Sequence, residues 1–356
     1  MQPTDFYELV SGRRRGVWPA MLRTGLRIGE FAYTQGVAYR NRQFDRGGDA
    51  VQSVDAPVIS VGNLTLGGTG KTPMVKWIAR RLREQSWRVA ILSRGYGAVE
   101  GAKNDEALEL EQSLPDVPHL QSPDRVAIAR TAIEELESQV LLLDDGFQHR
   151  RLARDLDIVL LDATQPFGFD HVFPRGMLRE PVQGLARADV VCLSRANLIG
   201  PDEREAIRAR AAKLAPGASW CEVSHAPAML LNSLSEEQPL DTLRDARVFG
   251  FCGIGNPAAF RQTLESAGAN VVGWAELPDH HAYTSDDVAR LISEIEKSGA
   301  ELAICTQKDL VKLRVPELQV IPLWAVVVEI EFLAGEAEML GHLTSLQVTE
   351  SPDLDD

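Results

Sequence analysis

The stretch Val58-Ile-Ser-Val-Gly-Asn-Leu-Thr-Leu-Gly-Gly-Thr-Gly-Lys-Thr-Pro73 decides how this chain is read. Val58 to Val61 is a short β-branched apolar run, a glycine-rich turn follows, and Met74 to Leu82 continues as an amphipathic segment. Strand, glycine loop and helix in that order form the setting in which a chain cradles phosphate. Gly67, Gly68 and Gly70 lack side chains, so backbone N–H groups can close around an anion at the positive end of a helix. Lys71 can reach β- and γ-phosphates, and the Thr72 hydroxyl can join a Mg²⁺ shell. The expected nucleotide-binding residues are therefore Thr65, Leu66, Gly67, Gly68, Thr69, Gly70, Lys71 and Thr72. Thr65 stands where the general pattern G-x-x-x-x-G-K-[ST] has its first glycine. Pro73 falls in the first helical turn, where its missing N–H costs little.

Outward from this loop, apolar runs alternate with helical patterns. Arg88–Ser93, Val140–Leu143, Ile158–Leu161 and Val190–Leu193 read as strands, and Arg125–Leu136 and Pro201–Leu214 as helices. Uninterrupted apolar strands between helices imply a mostly parallel sheet covered on both faces, an α/β fold of the P-loop type. A second α/β pattern begins near Arg247, with strands at 248–252, 271–274, 302–305 and 323–330 and helices at 257–267 and 285–298. The expected organisation is a P-loop domain over 1–224, a linker over 225–245, and a smaller α/β domain over 246–356 that closes over the nucleotide site. Residues 98–122 are polar and read as a long loop.

The chain of 356 residues has 44% hydrophobic and 25% charged residues, ordinary for a water-soluble globular protein. No run approaches the ~18 apolar residues of a spanning helix, and no signal peptide is expected ahead of the first domain. Cys192, Cys221, Cys252 and Cys305 are scattered singly without metal-ligand spacing, so they read as reduced core thiols of a cytoplasmic protein. A net charge of −14 argues against nucleic-acid binding. The charge is uneven, however: residues 1–46 carry eight arginines against Asp5, Glu8, Glu30 and Asp45.

In that basic segment, residues 17–39 read as a helix starting near Pro19. Arg23, Arg27 and Glu30 share one narrow face, while Trp18, Met21, Leu22, Leu26, Ile28, Tyr33 and Val37 cover most of the rest. Two readings stand: a helix packed on its own domain, or one whose apolar face enters a bilayer interface while arginines meet lipid phosphates.

A phosphoryl-transfer site also needs an acid at a strand end to hold Mg²⁺. Asp144 and Asp145, directly after Val140–Leu143, are the expected metal residues beside Thr72, with Gln148 and His149 close behind. Arg175, Arg179 and Glu180 occupy a later loop, where arginines either grip an anion or are simply solvated. Asp279-His280-His281 lies in a polar turn. No further ligand has zinc spacing, so an acid-oriented general base and a surface turn remain the two readings.

Taken in order, the motifs Gly62–Pro73, Ser93-Arg-Gly-Tyr-Gly97, Asp144-Asp-Gly-Phe-Gln-His149, Arg179-Glu-Pro181, Gly253-Ile-Gly-Asn-Pro257, Asp279-His280 and Thr306-Gln-Lys-Asp309 resemble the tetraacyldisaccharide 4'-kinases of lipid A biosynthesis. The resemblance covers almost the whole chain. It implies transfer of the γ-phosphate of ATP, with Mg²⁺, to the 4'-hydroxyl of an acylated disaccharide 1-phosphate. The place would be the cytoplasmic face of a Gram-negative inner membrane, with the enzyme peripheral to an anionic surface. It further implies Asp105 as a catalytic acid, His280 as the base beside Asp279, catalytic roles for Lys71 and Arg179, and Glu180 in the metal set. Asn104 stands where the family motif Gly-Asp-Glu has glycine. The competing reading is a P-loop ATPase or GTPase switch acting on a protein partner. Such a switch would need neither the Asp279-His280 turn nor an apolar N-terminal helix.

Overall fold

The computed structural model describes residues 3–47, 50–95, 105–279 and 281–346. Its first elements are helices α1 (Pro3–Val10) and α2 (Val17–Asp45), strand β1 (Val58–Asn63), α3 (Lys71–Glu84), β2 (Val89–Ser93), α4 (Asp105–Ser113), β3 (His119–Gln121) and α5 (Arg125–Glu134). Next come β4 (Val140–Asp144), β5 (Leu156–Asp162), β6 (Val190–Ser194), α6 (Pro201–Leu214), β7 (Ser219–Leu231), β8 (Glu237–Pro239) and β9 (Arg247–Cys252). The last are α7 (Pro257–Ser266), β10 (Asn270–Glu276), α8 (Ser285–Ser298), β11 (Leu302–Thr306), α9 (Gln307–Leu313), β12 (Glu317–Leu318), β13 (Ile321–Ala334) and α10 (Glu336–Thr344). The chain divides into two compact units. The first comprises Met1–Arg94, Val117–Ser224 and Ile330–Asp356, and the second Gly95–Asp116 and His225–Glu329.

In the first unit the strands run in the order β7-β6-β5-β1-β4-β2-β3, and every neighbouring pair is parallel. Strands β1, β2, β4, β5 and β6 are buried along their whole length, as a sheet with both faces covered requires. Alternation divides their side chains: Val159, Leu161, Val191 and Leu193 build the core on one face. Val58, Ala90, Leu92, Leu141 and Leu143 build the core on the other. Each valine or leucine among them contributes roughly 1.5–3 kcal/mol on burial. The chain leaves β1 for β2 and β3, returns to β4 beside β1, then crosses to β5 on the other flank. The strand order thus reverses at β1, and ligands of open parallel sheets bind at the carboxyl ends of the strands at such a point.

Two glycines make the approach at this point possible. A Cβ on Gly62 would lie 2.5 Å from Phe147 Cβ, and one on Gly146 would lie 2.7 Å from Ser60 Oγ. Any larger residue at either position would push the head of β1 away from the segment that follows β4.

In the second unit β10-β9-β11-β13 are parallel neighbours, with β12 antiparallel to β13. Phe249, Phe251, Leu291, Ile295 and Leu310 centre one of its cores. Helix α4 joins this unit through Lys312, which pairs with Asp105 at 2.8 Å, and through Gln307, which donates to Ser113 Oγ at 3.0 Å.

The division departs from the sequence expectation in three places. Residues 225–245 are not a linker: β7 continues to Leu231 and pairs antiparallel with β8. Pro227 lies within β7, and a proline inside an apolar run lowers the expectation of strand. The C-terminal helix α10 belongs to the first unit, where Ser219 Oγ and His342 Nε2 lie 2.9 Å apart. Within the polar stretch 98–122, the described part holds α4 and β3. The acid-rich sequence Asp105-Glu-Ala-Leu-Glu-Leu-Glu had hidden the apolar spacing of Ala107, Leu110 and Leu114, all buried.

Helix α2 begins at Val17 and extends to Asp45, beyond the expected end at 39. Its orientation inverts that of an ordinary domain helix. The polar face points inward: Glu30 accepts from the Val172 N–H at 2.9 Å, and Arg23 donates to the carbonyls of Leu9 and Arg14. Most of the apolar face is bare, with Ile28 76% exposed, Trp18 75% and Phe31 68%, while Val37 near its end is buried. Among the described residues no helix is long and apolar enough to cross a membrane.

Candidate active site

The loop between β1 and α3 is shaped by two left-handed glycines, Gly67 at φ 107° and Gly70 at φ 83°. It is held from three sides. The Leu66 N–H donates to the Met177 carbonyl at 2.7 Å. Ser194 Oγ, at the end of β6, donates to the Thr69 carbonyl at 2.8 Å. Arg195 donates to the Gly68 carbonyl at 3.0 Å and pairs with Asp162 at the end of β5. With these carbonyls occupied from behind, the loop is fixed in shape before any nucleotide arrives.

At the mouth of the loop Lys71 Nζ lies 3.4 Å from Asp145 Oδ1 and 3.5 Å from Asn63 Oδ1. Arg179 Nη1 donates to both oxygens of Asp145 at 2.8 and 2.7 Å. Burial works to raise the pKa of Asp145, but the cations of Lys71 and Arg179 outweigh it and hold the carboxyl below its ordinary range. Asp145 is itself left-handed at φ 54°, which turns it sharply after β4 and toward the lysine. Asp144 closes β4 and is 5% exposed. The expected residues Lys71, Arg179, Asp144 and Asp145 thus share one edge of the sheet.

Glu180, expected in the metal set, lies behind this edge. It is fully buried, and its Oε1 accepts from Arg187 at 2.8 Å and Gln148 at 3.1 Å. Its Oε2 accepts from Asn41 of α2 at 3.2 Å. Both oxygens of Glu180 are thus engaged inside the protein, where the carboxylate braces the site. The remaining oxygen donors, Thr72, Asp144 and Asp145, fit Mg²⁺, which is held by one or two carboxylates plus phosphate oxygens instead of an all-protein cage. Among the described residues no group of three or more His, Cys, Asp and Glu gathers as a metal cage.

Arg125 went unremarked in the sequence beyond marking a helix start. It is buried at the head of α5, close enough to Asp144, Asp145 and Arg94 for their charges to act on it. One arginine after an Asp N-cap carries no spacing signal; only the fold brings it to β4. Arg125 Nη1 lies 3.5 Å from His149 Nδ1. A guanidinium can only donate, so Nδ1 accepts and the imidazole proton sits on Nε2. Burial first, then the cations Arg125, Arg154 and Arg151, push the pKa of His149 down to about 4.

The sign of this shift gives a stability prediction. Protons bind the unfolded histidine near pH 6.5 but the folded one only near 4. The stabilisation is present above pH 6.5 and is lost as pH falls toward 4. After discounting for partial solvent screening it amounts to about 1–2 kcal/mol. Denaturant midpoints measured from pH 7 to 4.5 should fall, and His149→Gln should flatten that slope. An identical slope in the variant would refute the assignment.

In the second unit, Asp309 is fully buried and organises the turn that holds Asp279. Its carboxylate accepts from the Gly253 N–H at 3.1 Å, Tyr283 Oη at 3.0 Å and Thr306 Oγ1 at 2.5 Å. Asp279 is exposed at the surface of that turn. His281 is committed elsewhere, its Nε2 lying 2.9 Å from Asp287 Oδ2 at the N-terminus of α8. Asp105, expected to act with His280, falls in this same unit and pairs with Lys312. His280 itself, like Asn104, lies outside the described residues.

A phosphate-shaped loop at the head of β1, with acids at the head of β4, makes this a P-loop nucleotide-dependent enzyme. The family described as tetraacyldisaccharide-1-P 4'-kinase (LpxK) matches residues 22–346. A tetraacyldisaccharide 4'-kinase of Anaeromyxobacter dehalogenans is 42% identical over 317 residues, covering 84% of each chain. One from Syntrophus aciditrophicus is 38% identical over 348 residues, covering 89% of this chain and 91% of its own. The crystal structure of Aquifex aeolicus LpxK in complex with ATP superposes with a TM-score of 0.73 at 30% identity, over 91% of this chain and 98% of that one. The chain belongs to the tetraacyldisaccharide 4'-kinase family, and it is a kinase.

Proposed function

We propose that this enzyme transfers the γ-phosphoryl group of ATP to the 4'-hydroxyl of a tetraacylated disaccharide 1-phosphate held in an anionic bilayer, at the cytoplasmic face of the inner membrane. The observation that carries the membrane part is the inverted helix α2, which spends its polar face on the protein and leaves Trp18, Met21, Ile28 and Phe31 to the outside. Full burial of such side chains is worth about 1.5–3 kcal/mol each, so partial insertion of four offsets the ordering cost of docking. The surrounding arginines add attraction to anionic headgroups. An acceptor with four acyl chains cannot leave the bilayer cheaply, and the enzyme must come to it.

In the reaction, the loop from Thr65 to Thr72 and the cation of Lys71 bind the triphosphate. Thr72 and Asp144 would hold Mg²⁺, with Asp145 beside them, and the ion would neutralise charge on the β- and γ-oxygens. Arg179 and Lys71 exchange Asp145 for phosphate oxygens as nucleotide enters, so charge that balances a carboxylate at rest balances the transferring group in the transition state. His280 takes the proton of the 4'-hydroxyl, with Asp279 or Asp105 orienting its imidazole. The bond from the acceptor oxygen to the γ-phosphorus forms as the bridging bond to the β-phosphate breaks, and ADP leaves.

Substitution of Trp18, Ile28 and Phe31 by serine tests this reading. Turnover of acceptor presented in phosphatidylglycerol vesicles should fall at least tenfold, with turnover of acceptor dispersed in detergent nearly unchanged. Loss in both formats, or in neither, would remove the docking role from α2.

A further inference from the structure

Phosphoryl transfer as proposed makes no use of one fully buried carboxylate. Asp309 stands in the first turn of α9, and among the described residues no cation pairs with it. Three neutral donors hold it instead. The Gly253 N–H lies 3.1 Å from Oδ1 and 3.2 Å from Oδ2, Tyr283 Oη donates to Oδ1 at 3.0 Å, and Thr306 Oγ1 donates to Oδ2 at 2.5 Å. Burial and the Asp309 charge push the Tyr283 phenol well above its ordinary range, so its proton stays in place to donate. A carboxylate accepts from all three. An amide of the same shape has one acceptor oxygen and would set its NH₂ against the remaining donor. A buried charge held this way contributes little to stability; what it does is fix three segments to one point.

Those segments follow three neighbouring parallel strands. β10, β9 and β11 lie side by side; Gly253 follows β9, Tyr283 lies in the connection after β10, and Thr306 closes β11. Parallel sheets meet their ligands at this end. Gly253 is the point of contact: a Cβ there would stand 3.1 Å from Asp309 Oδ1, 3.1 Å from the Pro278 carbonyl and 3.4 Å from His281 Cβ. Through one glycine, Asp309 thus sets both residues that bracket Asp279-His280 in the chain. His281 is fixed again by Tyr283, the two rings edge-on at 5.4 Å. A Cβ on Gly255 would stand 3.4 Å from Asp279 Oδ2, so the same glycine loop also abuts Asp279. One turn further along α9, Lys312 pairs with Asp105 at 2.8 Å. A single short helix is therefore the common reference for Asp105 and for the turn that carries the expected base.

Resting on the function proposed above, we infer that Asp309 is the positioning residue for the base of the transfer. It touches no reactant; it ties Gly253, and with it Pro278 and His281, to α9, and so holds the segment from which the base works. The motif Thr306-Gln-Lys-Asp309 and the glycine loop after β9 then form one device. Its worth lies in precision, since a shift of about 1 Å in a reacting group costs on the order of 10²-fold in rate.

Double-mutant kinetics on the full chain test this, with MgATP and the tetraacyl disaccharide 1-phosphate in detergent. Asp309→Asn should lower kcat about 10- to 100-fold while the KM for ATP stays within about twofold, because nucleotide is assigned to the first unit. Tyr283→Phe keeps the ring and removes one donor, so kcat should fall roughly three- to tenfold. The decisive comparison is made in a His280→Ala background. There either change should lower kcat by less than about twofold more, since a residue acting only through the base has nothing left to position. Losses that multiply with that of His280→Ala would make Asp309 a brace of the fold and overturn the proposal, as would wild-type kcat in every variant that folds. Where Asp309→Asn does not fold, the Tyr283→Phe cycle decides by the same criterion. A mild His280→Ala would refute the base assignment itself, and this inference with it. A severe His280→Ala with multiplying losses would leave that assignment standing and remove only the part of Asp309.

Discussion

Lys71→Ala should lower turnover by about 10³-fold or more and leave the fold standing. Phosphoryl transfer asks little covalent chemistry of a protein, so catalysis rests on positioning and on charge placed where charge develops. Lys71 is the cation at the head of α3, and one lost charge in a preorganised site costs about 3–4 kcal/mol of transition-state stabilisation. Structural damage should be small for a specific reason. The partner left behind, Asp145, keeps both contacts from Arg179 at 2.8 and 2.7 Å, so no buried charge is stranded. Thermal unfolding within a few degrees of wild type, with activity nearly abolished, is the expected pair of results. A folded Lys71→Ala enzyme with near-normal turnover would remove the loop from the mechanism.

The second large effect belongs to the other unit. His280→Ala should lower kcat by about 10²- to 10⁴-fold, the usual range for a general base, with little change in the KM for ATP. Nucleotide is assigned to the first unit and the base to the second, so the two constants should part company. The neighbouring histidine supplies the contrast. His281 is bound to Asp287, which caps α8 through Thr284, so His281→Ala should cost about 1 kcal/mol of stability and little kcat. The acid limb of the pH–rate profile should vanish in His280→Ala alone. A severe His281→Ala beside a mild His280→Ala would identify the wrong histidine, and two mild variants would leave no general base in this turn.

Much of this was legible in the chain because it rests on local pattern. Continuous apolar runs such as Val140–Leu143, alternating with helical patterns, read as covered strands, and Gly67 to Thr72 between strand and helix reads as a phosphate loop. What escaped depends on long-range placement. Arg125 looks like any helix-opening residue until parallel pairing of β1 with β4 brings α5 to the acids. Glu180 entered the expected metal set through the resemblance alone, and no local pattern announced that its side chain reaches Arg187 and Gln148. Asp105 sits in sequence among first-unit strands and folds with the second, through Lys312 of α9. The amphipathic pattern of α2 was plain, but not which face meets the protein; that was decided by Glu30 and its bond to the Val172 N–H.

The most direct test of the central claim follows the label of γ-labelled ATP incubated with the enzyme, Mg²⁺ and the tetraacyl disaccharide 1-phosphate. Transfer to a lipid hydroxyl predicts that label moves into the organic phase in a one-to-one ratio with ADP formed, and that omitting the acceptor nearly stops ADP release. Label recovered only as inorganic phosphate, at a rate indifferent to the lipid, would contradict the account and point to a nucleotide-hydrolysing switch.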